Sequence, residues 1–419
     1  MMGVRFAILF LCGVITHCLG VSSVAAEQSE SDGSIVDRLD ATSVDRYRDR
    51  LPHELYVQVK RDKASFVVGK TPVPKASYTS TKVAPSAKYT LSEEGVFSAP
   101  EKVSFSHAVF ASANLDRGSL EARGYQILWN ASSALWHHPR ISLESSVYMH
   151  RAGDEEPNRL VVRLERVHPS LYPDTPGTLV PIFREKIQLV KPQALSTLSW
   201  LTLRFFGSDE DYVWVSSPAI KKIRQITGSN RGDPMFEAML APNDFLVWSG
   251  KVEGVKPLAV ETARVLVPVY EGEVKKGSDD VNCRAYDFGD DFSRYHHSSS
   301  WLPNSVKFYE REVWKVELGT LDPYSNDAQQ VIYFDKESNL PVYATSYSIS
   351  GAFRRFRMGV LGVVGSGKDR GPLIVGQIVT STQGWRVSVN TEHVSLCGAE
   401  DGKTVLVDFD PASFISFKS

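Results

Sequence analysis

From about Ser104 onward the chain is written in short runs that alternate apolar and polar residues, separated by turn-forming residues. Trp385-Arg386-Val387-Ser388-Val389 shows the pattern at its plainest. A period of two puts every second side chain on one face, which is the mark of a strand with one face buried. Further strand candidates, many of them alternating, occur at Ile141–Arg151 (ISLESSVYMHR), Phe183–Lys191 (FREKIQLVK), Ser305–Gly319 (SVKFYEREVWKVELG), Pro341–Ser350 (PVYATSYSIS), Arg354–Val364 (RRFRMGVLGVV), Leu373–Thr382 (LIVGQIVTST) and Lys403–Asp410 (KTVLVDFD). The connections are short and turn-like, as in Asp335–Asn339, and parallel pairs need crossovers of a dozen or more residues. The pattern therefore predicts successive antiparallel pairing: a mainly β protein built on one large, strongly curved antiparallel sheet. A few helices are expected on its concave face. Ser119–Asn130 (SLEARGYQILWN) opens with a capping serine and places Leu120, Tyr125 and Leu128 roughly on one side of a helix. Val44–Val68 predicts a turn or two of helix before Pro52 breaks the pattern.

The other segments are not strand-like. Met1–Ala26 has Arg5 as its only charge, then the apolar run Phe6–Thr16, then small residues ending Val24-Ala25-Ala26. That is the layout of a cleaved secretory signal, and it predicts a soluble periplasmic protein after cleavage near Ala26. Glu27–Asp37 is polar and Ser-rich, and Thr71–Thr90 is rich in Pro, Ser, Thr and Lys without an apolar period, so it reads as an extended surface connection. The expected organisation is a signal at 1–26, an N-terminal extension and linker at 27–95, and the β domain at 96–419.

Composition narrows the function classes. The 419 residues, 42% hydrophobic, allow a sizeable core. Lys plus Arg number 47 against 49 Asp plus Glu, so no basic footprint for nucleic acid exists. No stretch of the mature chain approaches the roughly 20 apolar residues of a transmembrane helix. Cys12 and Cys18 leave with the signal. Cys283 and Cys397 remain, either paired across a long loop or as two separately buried thiols.

Motifs for chemistry are sparse. Gly362–Asp369 (GVVGSGKD) comes within one residue of a phosphate-binding loop, but Asp369 stands where a magnesium-binding hydroxyl belongs and strand-like runs flank it on both sides. It reads as a connection between two strands. No HExxH or Gly-x-Ser-x-Gly motif is present, and His137-His138 and His296-His297 are adjacent pairs that would point to opposite faces of a strand. Neither a catalytic residue, a metal site nor a cofactor is expected. The chain instead carries a dense set of aromatics: Trp200, Phe205, Phe206, Tyr212, Trp214, Phe245 and Trp248. They form either ordinary core or the lining of an apolar cavity. For the cavity, the candidate residues are Trp200, Phe205, Tyr212, Trp214, Phe245 and Trp248. Lys221, Lys222, Arg224 and Arg231 form a candidate basic rim for an anionic head group, the alternative being a solvated strand face with Arg231 paired to Asp233.

Leu198–Pro234 carries a recognisable block: an aromatic strand, Trp214 followed by Ser217-Pro218-Ala219, the basic stretch Lys221-Lys222-Ile223-Arg224, and the turn Gly228-Ser229-Asn230-Arg231. It resembles the DUF1329 family of exported bacterial proteins, often labelled outer-membrane lipoprotein-sorting proteins. Leu51–Arg61, Gly124–Asn130, Arg311–Thr320 and Val331–Tyr347 resemble further blocks of that family, which together span nearly all of the mature chain. The family's Asp pair appears here as Asn243-Asp244. The resemblance implies a partly closed LolA/LolB-like barrel with helices as a lid, and it brings no catalytic residue. The expected function is a periplasmic, non-enzymatic carrier or receptor for a lipid-like or apolar molecule, acting with an envelope export system. The alternatives are an envelope hydrolase with a loop-built active site and a structural partner of an outer-membrane protein.

Overall fold

The computed structural model describes residues 35–62, 64–70, 90–98, 110, 115, 118–134, 139–151, 154–168, 181–196, 198–207, 210–217, 222–235, 240–277, 283–289, 292, 301–365, 370–398 and 408–411. The secretory signal, both histidine pairs, most of Thr71–Thr90 and the strand expected at Lys403–Asp410 (but for its last residues) lie outside them.

The N-terminal strands are β1 (Ile35–Leu39), β2 (Phe66–Gly69) and the short pair β3 (Thr90–Leu91) and β4 (Phe97–Ser98). Next come β5 (Arg140–Arg151), β6 (Asn158–Val167), β7 (Phe183–Lys191), β8 (Ser199–Arg204), β9 (Tyr212–Ser217) and β10 (Lys222–Ile226). The remainder are β11 (Val255–Tyr270), β12 (Lys275–Lys276), β13 (Cys283–Asp287), β14 (Val306–Thr320), β15 (Gln329–Asp335), β16 (Pro341–Tyr347), β17 (Phe353–Val364), β18 (Gly371–Ser381) and β19 (Trp385–Cys397). The helices are α1 (His53–Asp62) and α2 (Leu120–Ser133). The strands expected within the described residues form, that at Lys403–Asp410 lying largely outside them, and the phosphate-loop look-alike begins at the end of β17, where Val364 pairs with Gly371 of β18.

Antiparallel pairing runs in the order β10, β9, β8, β7, β6, β5, β19, β18, β17, β16, β15, β14, β11. β19 is long enough to serve two neighbours on one edge, β18 and then β13. The partly closed barrel implied by the family resemblance is not what forms. Closure needs the end strands to meet in register. β10 pairs only with β9 among the described residues, while β11 uses its free edge for one parallel bridge, Val269 to Leu361 of β17. The sheet curls tightly from β11 to β17 and remains open at β10.

Helix signals behave as local chemistry predicts. Ser119 caps α2, its hydroxyl accepting from the Ala122 amide at 3.2 Å. Tyr125 and Leu128 are buried, whereas Leu120, at the first helical position, is 37% exposed. Pro52 divides rather than ends the helical region: a 3-10 segment, Val44–Arg50, precedes it, and α1 starts directly after it. Proline suits a helix start because its missing N–H would have no partner there.

The central strands are buried on both sides. On one face, α1 is tied to the sheet by Gln58 Nε2 donating to Thr380 at 2.7 Å and by Thr345 and Tyr347 donating to Glu54 at 3.1 and 2.6 Å. On the other lie α2 and the segment Leu240–Gly250. Gly124 lets α2 approach β11 closely, since a Cβ there would meet Pro257 at 2.4 Å.

Candidate functional site

The period of two sorts the second face into an apolar and a charged region. Leu143 on β5 lies opposite Leu164 on β6, and Leu164 opposite Ile187 on β7. Two residues further along β6, Arg166 faces Glu185 of β7, which faces Thr202 of β8. Arg166 donates to Glu185 Oε2, with Nε at 3.0 Å, and Arg231 Nη2 reaches Glu185 Oε1 at 2.9 Å. Arg204 holds Asp211 Oδ2 through Nε and Nη2 at 2.9 and 2.7 Å. All five charged groups are buried. Burial by itself would raise the Glu185 carboxyl, but the Arg166 and Arg231 guanidinium groups overcome it and hold the pKa at about 2. Nearby, burial pushes the Glu253 carboxyl above its usual range.

Ala241–Gly250 covers this face without regular structure beyond one short 3-10 turn, Pro242–Asp244. Arginines fasten it at both ends. Asp244, fully buried, is ion-paired with Arg355, whose Nε lies 3.1 Å away, and accepts from Arg357 Nη1, while its carbonyl accepts from Gln377 Nε2 at 2.7 Å. At the other end, Arg204 Nη1 donates to the carbonyls of Ser249 and Gly250, both at 3.0 Å, and Arg166 Nη2 donates to Ser249 Oγ at 2.8 Å. Between the clamps the backbone is strained: Leu246 has φ 58° and Val247 φ 72°. Positive φ is a marked departure for a β-branched residue and costs about 1–3 kcal/mol each, persisting only where the surroundings impose it. Val247 is seated over Gly359, where a Cβ would lie 2.4 Å from Val247 Cγ2, and its amide donates to Gln377 Oε1 at 3.0 Å.

Two small cavities flank Leu246. One of about 20 Å³ is bordered by Leu143, Leu164, Phe245, Leu246, Ile374 and Val389 among others. The second, about 30 Å³, is bordered by Arg166, Phe183, Arg204, Leu246, Trp248 and Ser249 among others. Each has room for about one water molecule. Arg166 and Arg204 lie over the Phe183 ring at 4.4 and 4.9 Å from its centre, so the second cavity joins aromatic surface to guanidinium. A wider groove of about 430 Å³, bordered by Arg264, Glu310, Arg311, Glu312, Asp335, Lys336 and Glu337, has charges that pair with one another.

The six aromatics divide between the faces. Trp200 lies in register with Ile187 on the covered face, where Phe245 and Trp248 border the two cavities. Leu201, Leu203, Tyr212 and Trp214 alternate onto the opposite face; there Phe205 stacks edge-on against Tyr212 at 5.3 Å, and Phe205 and Trp214 join a small separate cluster with Phe409. Of the basic residues, Arg224 is exposed on β10, while Arg231 is 1% exposed and bound to Glu185, with Asn243 Oδ1 as a further acceptor at 3.1 Å. Asp233 accepts from Asn230 and Asn326 instead. Lys221 lies outside the described residues, and of Lys222 only the backbone is described. Cys283 and Cys397, opposite each other on β13 and β19, form a disulfide. Among the described residues no group of three His, Cys, Asp or Glu is placed to hold a metal, and no helix is long and apolar enough to cross a membrane.

Sequence reasoning passed over Arg166, Arg204, Arg355, Arg357 and Gln377. A signal was present in β17, whose run FRRFRMGVLGVV becomes continuously apolar after Arg357: a strand apolar on both sides is buried on both sides, so its arginines must find buried partners.

A profile described as "Protein of unknown function (DUF1329)" matches residues 38–369. No curated protein matches the sequence. Among solved structures, a domain described as a putative outer membrane lipoprotein-sorting protein from Vibrio parahaemolyticus is 14% identical, with 70% of this chain and 99% of that one covered at a TM-score of 0.47. A DUF1329 family protein from Desulfovibrio piger is 12% identical, covering 71% of this chain and all of that one (100%) at 0.46. A LolA superfamily protein from Nitrosomonas europaea is 10% identical, covering 66% and 95% at 0.39.

Proposed function

The chain belongs to the DUF1329 family, and from that premise we propose that it is a periplasmic, non-enzymatic carrier or receptor for an apolar or lipid-like molecule, working with an envelope export system. One observation carries the reading: a broad sheet face is covered by a strained segment rather than by a regular element, with a largely apolar cavity on one side of Leu246 and one that joins aromatic surface to guanidinium on the other. A ligand of this class would lie between that face and Ala241–Gly250, against Phe245, Trp248 and Trp200. Arg224 and the lysines at 221 and 222 would serve its delivery or surface contacts. The test is mass spectrometry of the mature protein purified gently from its own periplasm, with organic extraction. A stoichiometric lipid or apolar molecule is the expected result. A protein that arrives empty and takes up none of a panel of lipids overturns the reading.

A separate observation favours a second reading, docking on an outer-membrane or export-system protein. Leu321, Tyr324 and Ile349 are 55, 83 and 96% exposed at the ends of two neighbouring hairpins, which the Ala328 amide links by donating to the Tyr347 carbonyl at 2.9 Å. Exposed apolar side chains grouped in this way mark interaction surfaces. Photo-crosslinking from position 324 in intact cells would yield one discrete protein adduct under this reading and none otherwise.

A further inference from the structure

We propose that Ala241–Gly250 is a plug occupying the ligand's own place, and that the ligand displacing it is an amphiphile with an anionic head. This rests on the reading of the site as one for an apolar molecule and adds both the head group and the gate.

The plug mimics such a molecule group by group. Its carbonyls at Ser249 and Gly250 and the Ser249 hydroxyl take three donor contacts of Arg204 and Arg166. Those guanidinium groups are 4 and 5% exposed, so donors vacated by the plug must find another acceptor. Both Glu185 oxygens already take Arg166 and Arg231, and Asp211 Oδ2 takes the other edge of Arg204. Three guanidinium groups and Lys251, which lies 4.0 Å from Asp211, face three carboxylates there, and burial of the third, Glu253, favours its neutral form, which leaves the region cationic. A carboxylate or phosphate head supplies both the acceptors and the missing charge. Behind this position the plug's Leu246 and Trp248 fill apolar space that an alkyl chain would take. Leu246 borders both cavities, so its withdrawal joins them into one path from Arg166 and Arg204 to Leu143 and Val389.

The plug is also built to leave. Leu246 and Val247 hold left-handed backbone only while the arginine clamps constrain them. Arg355 Nη1 and Arg357 Nε have no hydrogen-bond partner among the described residues, so the Asp244 clamp is incompletely satisfied. Val247 fits over the sheet only because residue 359 lacks a Cβ.

The test uses the full mature chain and cis-parinaric acid, a fluorescent fatty acid, with its methyl ester as the uncharged control. Gly359→Ala pushes Val247 off the sheet and is expected to tighten binding of the acid about tenfold by raising the population of the open form. The pair Val247→Cys with Gly359→Cys, oxidised, ties the plug down and is expected to abolish binding, which reductant restores. Wild-type protein under the same reductant controls for the native disulfide. The acid is expected to bind at least about tenfold more tightly than the ester. If wild type binds and the crosslinked form binds equally well, the gate is refuted while the carrier reading stands. If the ester matches the acid, the anionic head is refuted. If neither wild type nor Gly359→Ala binds either probe, both readings fall. Should Gly359→Ala fail to fold, the oxidised and reduced forms of the cysteine pair decide the question alone.

Discussion

Asp244→Ala tests whether the clamp on the plug is structural in the way its geometry implies. Asp244 is fully buried and meets Arg355 at 3.1 Å and Arg357 at 2.5 Å, both of them also buried. Removing the carboxylate leaves Arg357 with Ser346 and Gln330 as neutral acceptors, while Arg355 keeps Asp327. Breaking a buried pair by deleting one partner costs about 3–5 kcal/mol, because the surviving charge stays desolvated. Asp327 offsets part of the loss at Arg355, so about 3 kcal/mol is the expected destabilisation. With a urea slope of about 3 kcal/mol/M the midpoint falls by about 1 M. The control is Glu312→Ala: Arg264 and Glu312 are 67 and 51% exposed at 3.0 Å, and an exposed pair is worth at most about 1 kcal/mol. Urea unfolding with the disulfide intact, followed by tryptophan fluorescence and circular dichroism, gives both numbers. If Asp244→Ala costs no more than Glu312→Ala, the buried clamp is refuted as a stabilising element.

Three further predictions follow from the same structure. The Glu185 carboxyl, held at about 2, contributes stability that is fully present above its unfolded value and is lost as pH falls from about 4.5 towards 2; the contribution, about 3 kcal/mol, should show as a steep acid limb that Glu185→Gln flattens in denaturation curves recorded across that range. Replacing Cys283 and Cys397 by serine opens a loop closed across a sequence separation of 114, and the chain-entropy argument predicts a loss of about 4–5 kcal/mol in guanidinium unfolding, against no change if the unfolded chain is already restricted there. Trp248→Ala should alter uptake of cis-parinaric acid, whereas Trp214→Ala, on the opposite face, should leave it within about twofold of wild type; equal effects would count against the assignment of the binding face.

The strands and α2 were legible because each is encoded within a dozen neighbouring residues: a period of two in Trp385–Val389, a capping serine at 119 before an apolar helical stripe. The β17–β18 connection could likewise be read against the phosphate-loop look-alike, since helix and hairpin make opposite demands on the residues that follow. The site is different in kind. Trp200, Phe205, Tyr212, Trp214, Phe245 and Trp248 are near one another in sequence, yet strand alternation sends Trp200 to one face and Tyr212 and Trp214 to the other, and which face carries the site depends on where Leu240–Gly250, with Phe245 and Trp248, lands. Arg231 followed the same logic: its neighbour Asp233 was the local candidate, but Glu185, 46 residues away, is the partner the sheet delivers. Sheet closure also lay beyond local pattern, because it turns on whether β10 or β17 takes the free edge of β11. Local hydrogen bonding and apolar period are properties of short segments, and so the sequence alone determines the elements. Partner choice among buried charges, and the strain at Leu246 and Val247, arise only when distant strands meet, because a charge or backbone torsion that water would relax is held in place there by groups 46 to 133 residues apart.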